Sequence, residues 1–214
     1  MQRLRVKFAR GAEIEYISHL DVMRAWERAL RRATIPLAYS HGFHPQPRIA
    51  LAAPLPVGVT SEGELMDVFL CQRLQPREFL NKVRPQLPPG LEILDVREVP
   101  LEEPSLQSRV RFADYRADIR SDLPGWEIEE RVRQLLEATE VLGERRREGK
   151  VRRYNLRPLV ERLVVESWNE SKRLRMRLRN SPSGAARPDE VVEALGLGRH
   201  AARVHREHLL LDRE

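Results

Sequence analysis

Cysteine is nearly absent from this chain, since the 214 residues contain only one, Cys71. A single cysteine excludes an internal disulfide and any site built from several cysteine ligands, such as an iron–sulfur cluster. We predict that the chain carries no cofactor of its own.

Long apolar runs are also absent. No stretch is long enough to span a bilayer as a helix, and the N-terminal MQRLRVKFARG lacks the apolar core of a signal peptide. These absences predict a cytoplasmic protein with no membrane partner. With 33% charged and 41% hydrophobic residues, the composition is polar but globular, and the length suits one large domain or two small ones.

Lysine is scarce as well. Only four of the 38 basic residues are lysine, and the rest are arginine. The net charge of +6 is compatible with an anionic partner, and arginine binds phosphates through paired hydrogen bonds and stacks on bases. A GC-rich or thermophilic genome would produce the same arginine bias, so the bias alone does not establish a function.

A capped helix and a cluster of histidines stand near the N-terminus. Ser18 and Asp21 have the spacing of a capping box, which predicts a helix over 18–34. Its apolar stripe is formed by Leu20, Met23, Ala25, Trp26, Ala29, Leu30 and Ala33. After it, AYSHGFHPQPRIAL contains two X-Pro steps and a glycine, which favour an exposed, non-helical path that carries His41, His44 and Arg48.

These residues carry a family resemblance. YISHLDVMRAWERALRRATIPLAYSHGFHPQPRIALAAPLPVGVTSEGE resembles the opening of the uncharacterised radical-SAM-linked domain family, and RYNLRPLVERL and GAARPDEVVEALGL also fit, so the resemblance covers nearly the whole chain. Members of that family occur fused to, or encoded beside, a radical S-adenosylmethionine protein. The resemblance implies such a protein as partner, and it assigns no catalytic residues.

The order of predicted elements indicates an α+β fold. Residues 1–100 follow the order β-α-β-β-α-β of a ferredoxin-like domain with an antiparallel sheet, and the same order returns in residues 109–214. Residues 101–108 are rich in Pro, Glu and Ser and form the predicted linker. We therefore predict two tandem ferredoxin-like domains, the first with the His/Pro-rich loop and the second with a basic surface.

Positive charge is concentrated in the second half. Residues 140–180 contain thirteen Lys or Arg against six Glu, a local charge of +7. RRREGKVRRYNLR places Tyr154 among cations, which suits phosphate contacts and base stacking. RLRMRLR places Arg173, Arg175, Arg177 and Arg179 on one strand face, opposite three apolar residues. We call the first three of them, Arg173, Arg175 and Arg177, the arginine row. The predicted nucleic-acid-binding residues are Arg48, Arg145, Arg146, Arg147, Lys150, Arg152, Arg153, Tyr154, Arg173, Arg175 and Arg177.

The arginine row has a simpler alternative. The same pattern fits an ordinary solvated strand face, or a face covered by acidic residues of the other domain.

The histidines allow two kinds of chemistry. His19, Asp21, His41 and His44 are weak candidates for a divalent metal site, although Asp21 also fits a helix cap, and we predict no metal. His19, His41 and His44 are alternatively candidate acid/base groups of an RNA-cleaving enzyme, because histidine titrates in the required range.

The favoured interpretation is an RNA-binding accessory protein that is not itself an enzyme. It would work with a radical S-adenosylmethionine partner in the modification of RNA or ribosomes. The first alternative is an endoribonuclease or metal-dependent enzyme that uses the histidines. The second is a protein-docking module that binds no nucleic acid. The sequence determines neither the substrate nor the oligomeric state.

Overall fold

The computed structural model describes residues 1–120, 123–147, 150–168, 171–198 and 201–212. They form two compact units, Met1–Val110 together with Leu211 and Asp212, and Arg111–Leu210. Both units mix helices with mostly antiparallel strands, so the predicted α+β class is confirmed. No helix in the described ranges is long and apolar enough to cross a membrane. The boundary proposed at residues 101–108 stays a prediction.

The first unit contains a four-stranded sheet. Its elements are β1 (Gln2–Arg10), α1 (His19–Arg32), β2 (Ile49–Leu51), β3 (Val59–Leu70), α2 (Pro76–Val83), β4 (Leu91–Val99) and α3 (Leu106–Arg109). The strands lie in the order β2-β3-β1-β4, and all three neighbouring pairs are antiparallel.

The core of this unit is formed by the sheet together with α1 and α2, which contributes the fully buried Phe79 and Val83. Trp26 is fully buried and packs edge-on against Phe8 of β1, with ring centroids 5.1 Å apart. The predicted helix stripe is wrong at its beginning, because Leu20 is exposed and Val22 is buried. The buried positions keep the spacing of a single helix face, to which Leu20 does not belong. They are Val22, Ala25, Trp26, Ala29 and Leu30.

The second unit contains a sheet and a separate hairpin. Its elements are β5 (Val110–Ile119), α4 (Gly125–Glu137), β6 (Leu142–Arg147), β7 (Lys150–Asn155), β8 (Val160–Trp168), β9 (Ser171–Ser181), β10 (Gly184–Ala185), α5 (Pro188–Ala194) and β11 (Ala201–Leu211). Strand β9 pairs antiparallel with β5, β8 and β10, and β11 lies beside β5. Strands β6 and β7 form their own two-stranded sheet, which we call the basic hairpin.

Candidate nucleic-acid interface

The basic hairpin gathers most of the cations predicted to bind nucleic acid. Its two strands contain six basic residues and one acidic residue, Glu144. Cross-strand pairing sets Arg145 opposite Arg152, so two like charges occupy paired positions of the ladder. Such pairing is unfavourable by itself. The side chains of Arg146, Arg147 and Lys150 fall outside the described residues.

Arg145 and Tyr154 anchor this hairpin to α5. The Arg145 guanidinium lies over the Tyr154 ring, 4.8 Å from its centroid, and its Nε donates to Oε1 of Glu190 at 2.6 Å. Burial raises the pKa of Tyr154, and the nearby Glu190 carboxylate raises it further. Gly143 lies opposite Tyr154, and a Cβ there would come within 2.8 Å of the ring. Arg145 and Tyr154, which the sequence predicts to bind nucleic acid, therefore help to hold the hairpin against α5.

Arg152 and Arg153 remain available at the surface. Both side chains are exposed, and Arg153 Nε donates to Glu144 Oε1 at 2.8 Å. An exposed pair of this kind contributes only about 0.2–1 kcal/mol, so a phosphate can replace the carboxylate at little cost. Among the described residues, Arg152 has no carboxylate partner. These two arginines are the most accessible described cations of the hairpin.

The arginine row lies in a different environment. Leu174, Met176 and Leu178 are buried and the arginines occupy the opposite strand face, as the alternation predicts. Each arginine, however, has a carboxylate partner from another strand of the same unit. The pairs are Arg173–Asp118 at 2.7 Å, Arg175–Glu166 at 2.8 Å, Arg175–Glu207 at 3.2 Å and Arg177–Asp114 at 2.8 Å.

This neutralisation comes from the same unit of the fold. Asp114 and Asp118 lie on β5 directly opposite Arg177 and Arg173. In the sequence, these two aspartates already indicate that a strand paired with β9 would neutralise part of its positive charge. Arg173 is buried, so little of its guanidinium is accessible. The face also lines a cavity of about 230 Å³ in which three arginines are balanced by three carboxylates. The arginine row thus offers much less free positive charge than its sequence indicates.

The histidine loop projects into solvent. Residues 40–46 are all exposed, and their ends are joined by hydrogen bonds from Ser40 N to Gln46 O at 2.9 Å and from Gln46 N to Ser40 Oγ at 3.0 Å. His41 and His44 stand on this loop with Phe43 between them. Phe43 is completely exposed.

His19 and Asp21 belong to the helix start. The Asp21 N–H donates to Ser18 Oγ at 3.2 Å, which confirms the predicted cap, and the Ser18 hydroxyl donates to the Asp21 carboxylate at 2.7 Å. That hydrogen bond lowers the pKa of Asp21. Among the described residues, no three His, Cys, Asp or Glu side chains are grouped as a metal site would require. His19, Asp21, His41 and His44 are therefore not brought together as a metal centre.

Comparison with models of known protein families assigns this chain to a family. Residues 3–188 match the model of a family described as "Uncharacterized protein conserved in bacteria (DUF2344)". The chain belongs to this family. The region that matches the DUF2344 model includes both the histidine loop and the basic hairpin, whereas β11 lies beyond it.

Known structures support the fold of this DUF2344 chain. No curated protein is significantly similar to it. A chain of the solved structure "Crystal Structure of a Cbf5-Nop10-Gar1 Complex" is similar with a TM-score of 0.52 and 11% sequence identity. The match covers 95% of this chain and 47% of that chain, so this chain spans about half the length of its structural relative. At that identity the likeness shows the fold alone.

Proposed function

We propose that this DUF2344 chain is a non-catalytic RNA-binding accessory protein. The observation that carries the proposal is the basic hairpin, with six basic residues against one acidic residue and with Arg152 and Arg153 exposed. A two-stranded ribbon of this charge can follow a phosphate backbone and gain affinity by releasing counterions. The paired arginine row contributes less, because its charge is already compensated within the unit.

We propose further that both units are ferredoxin-like. In the first, the order β2-β3-β1-β4 combines with the chain order β-α-β-β-α-β. In the second, β8, β9, β5 and β11 occupy the corresponding places in the order β8-β9-β5-β11. The basic hairpin is then an insertion between α4 and β8. An inserted ribbon of this kind is a natural place for a binding function, because it leaves the core sheet intact.

The proposed partner is a radical S-adenosylmethionine protein, and the support for it is the family resemblance of the sequence. Because the chain has one cysteine, the radical chemistry would belong entirely to that partner. The chain would bind RNA and present it for modification. The enzymatic alternative has weaker support, since His41 and His44 stand on an exposed loop and the described residues form no metal cluster around them.

The test is the affinity for a fluorescently labelled single-stranded RNA, measured by anisotropy over a salt series. We expect binding that weakens steeply with salt. Reversing both exposed hairpin charges, Arg152→Glu with Arg153→Glu, should flatten the log–log slope by about 0.7 for each phosphate that the variant no longer binds. Arg133→Glu, which reverses one charge on the exposed face of α4, is the control and should change the slope much less for each reversed charge. Absence of RNA binding at low salt would disprove the proposed function.

A further inference from the structure

The histidine loop has the features of a second binding element. Phe43 has a relative exposure of 102%, and Tyr39 at the base of the loop is 44% exposed. A single exposed apolar side chain is ordinary on a protein surface, but this one stands at the tip of a projecting loop between two histidines. The position offers both faces of the Phe43 ring to a ligand.

The loop is held in place from its base. Tyr39 forms a bridge with Pro47, and Arg48 N donates to Ala38 O at 2.8 Å, so the two arms run side by side towards β2. Gly42 has a φ of +129°, a conformation that side chains with a Cβ rarely adopt. The contacts at the base and the glycine therefore favour one conformation of the turn. A ligand that binds Phe43 then costs less conformational entropy than it would on an unrestrained loop.

The loop and its flanking segments contain no acidic residue, and Arg48 stands at the base of the loop. No Asp or Glu occurs in the sequence between Glu27 and Glu62. The Arg48 guanidinium is positioned over the Phe69 ring, 4.3 Å from its centroid, and its side chain remains exposed. Within the described part of the chain, Arg48 has no carboxylate partner, in contrast to the arginine row. The Phe69 ring thus holds the exposed Arg48 guanidinium in a position where it can bind a phosphate.

We propose that this loop binds single-stranded RNA by stacking an unpaired base on Phe43 while Arg48 contacts the backbone. The inference rests on the proposed function and extends it by naming the form of RNA that is bound. Inside a duplex the base faces are covered by their neighbours, so away from the duplex ends a projecting phenyl ring can stack only on a base that is unpaired. Aromatic rings with nearby cations are the usual means of holding single strands with little sequence preference.

The experiment compares Phe43→Ala and Phe43→Trp with the unchanged chain, on a single-stranded RNA and on a duplex of the same length. We expect Phe43→Ala to weaken single-strand binding by about tenfold, a typical effect of removing one stacked base. The salt slope should stay the same, because no charge is removed, and Phe43→Trp should retain the affinity. Duplex binding should be unaffected by either change.

Tyr16→Ala is the matched control, because Tyr16 is 75% exposed and lies outside the loop. It should leave both affinities unchanged. If the unchanged chain binds RNA through the hairpin but Phe43→Ala binds single strands equally well, the stacking proposal is overturned. If the unchanged chain binds no RNA, both this inference and the proposed function are overturned. The two failures are therefore distinguishable.

Discussion

Asp67 and Arg5 form a buried ion pair, with Arg5 Nε 2.9 Å from Asp67 Oδ1. The same carboxylate also accepts a hydrogen bond from Arg3 Nε at 3.0 Å. Two cations thus share one carboxylate inside the first unit, and Glu103 supplies a further negative charge by accepting from Arg5 at 2.9 Å. Glu103 also pairs with Arg109. The charges of Arg3 and Arg5 are consequently satisfied by residues far away in the chain.

Removing Asp67 should strongly destabilise the first unit. Asp67→Asn leaves Arg3 and Arg5 buried with too little compensating charge, and a broken buried pair typically costs about 3–5 kcal/mol. The free energy of unfolding from urea denaturation is the measurement. Asp95→Asn, at an exposed position of β4, is the control and should change the value by no more than about 0.5 kcal/mol. Equal stabilities of the two variants would show that the network contributes little.

The anchor of the basic hairpin should depend on pH. Burial by itself would raise the pKa of Glu190, but the hydrogen bond from Arg145 and its other partners lower it overall below the ordinary value of 4.5. A lowered pKa means that the stabilisation is present above that value and is lost as the pH falls through the pKa of the folded state.

Comparison of Glu190→Gln with the unchanged chain tests this expectation. At neutral pH the variant should be less stable by about 1–3 kcal/mol, because Arg145 loses a charged partner. The difference should shrink as the pH is lowered through the acid range. Glu193→Gln, an exposed change on the same helix, should show no such trend. A stability difference that is independent of pH would contradict the assignment.

Substitutions in the arginine row should lower stability, whereas substitutions in the basic hairpin should lower RNA affinity. Arg173→Gln removes a buried partner of Asp118 and should cost about 1–3 kcal/mol of stability with RNA affinity nearly unchanged. Arg152→Gln should do the reverse, since Arg152 is exposed and its replacement should weaken RNA binding without destabilising the fold. Thermal unfolding and anisotropy on the same two variants give the comparison. A drop in RNA affinity in Arg173→Gln alone would move the interface to the arginine row.

Several elements could be predicted from the sequence because their causes are local. The cap at Ser18 and the alternation of Leu174, Met176 and Leu178 depend on residues a few positions apart. For the basic hairpin, the sequence predicts a charged segment but not two strands. Its residues have no apolar alternation to indicate a sheet, and its anchor through Arg145 and Glu190 joins positions 45 residues apart.

Local sequence patterns are enough to predict the α+β class, the capped helix and the positions at which arginine accumulates. Which of those arginines keep a free charge depends on the fold. Arg3 and Arg5 alternate with the core residues Leu4 and Val6 along β1, yet they are buried too, because Asp67 and Glu103 reach them from distant segments. An ion pair depends on the distance between two side chains in space, and chain position does not fix that distance. The candidate nucleic-acid interface therefore consists of the arginines that remain exposed after folding, such as Arg152 and Arg153.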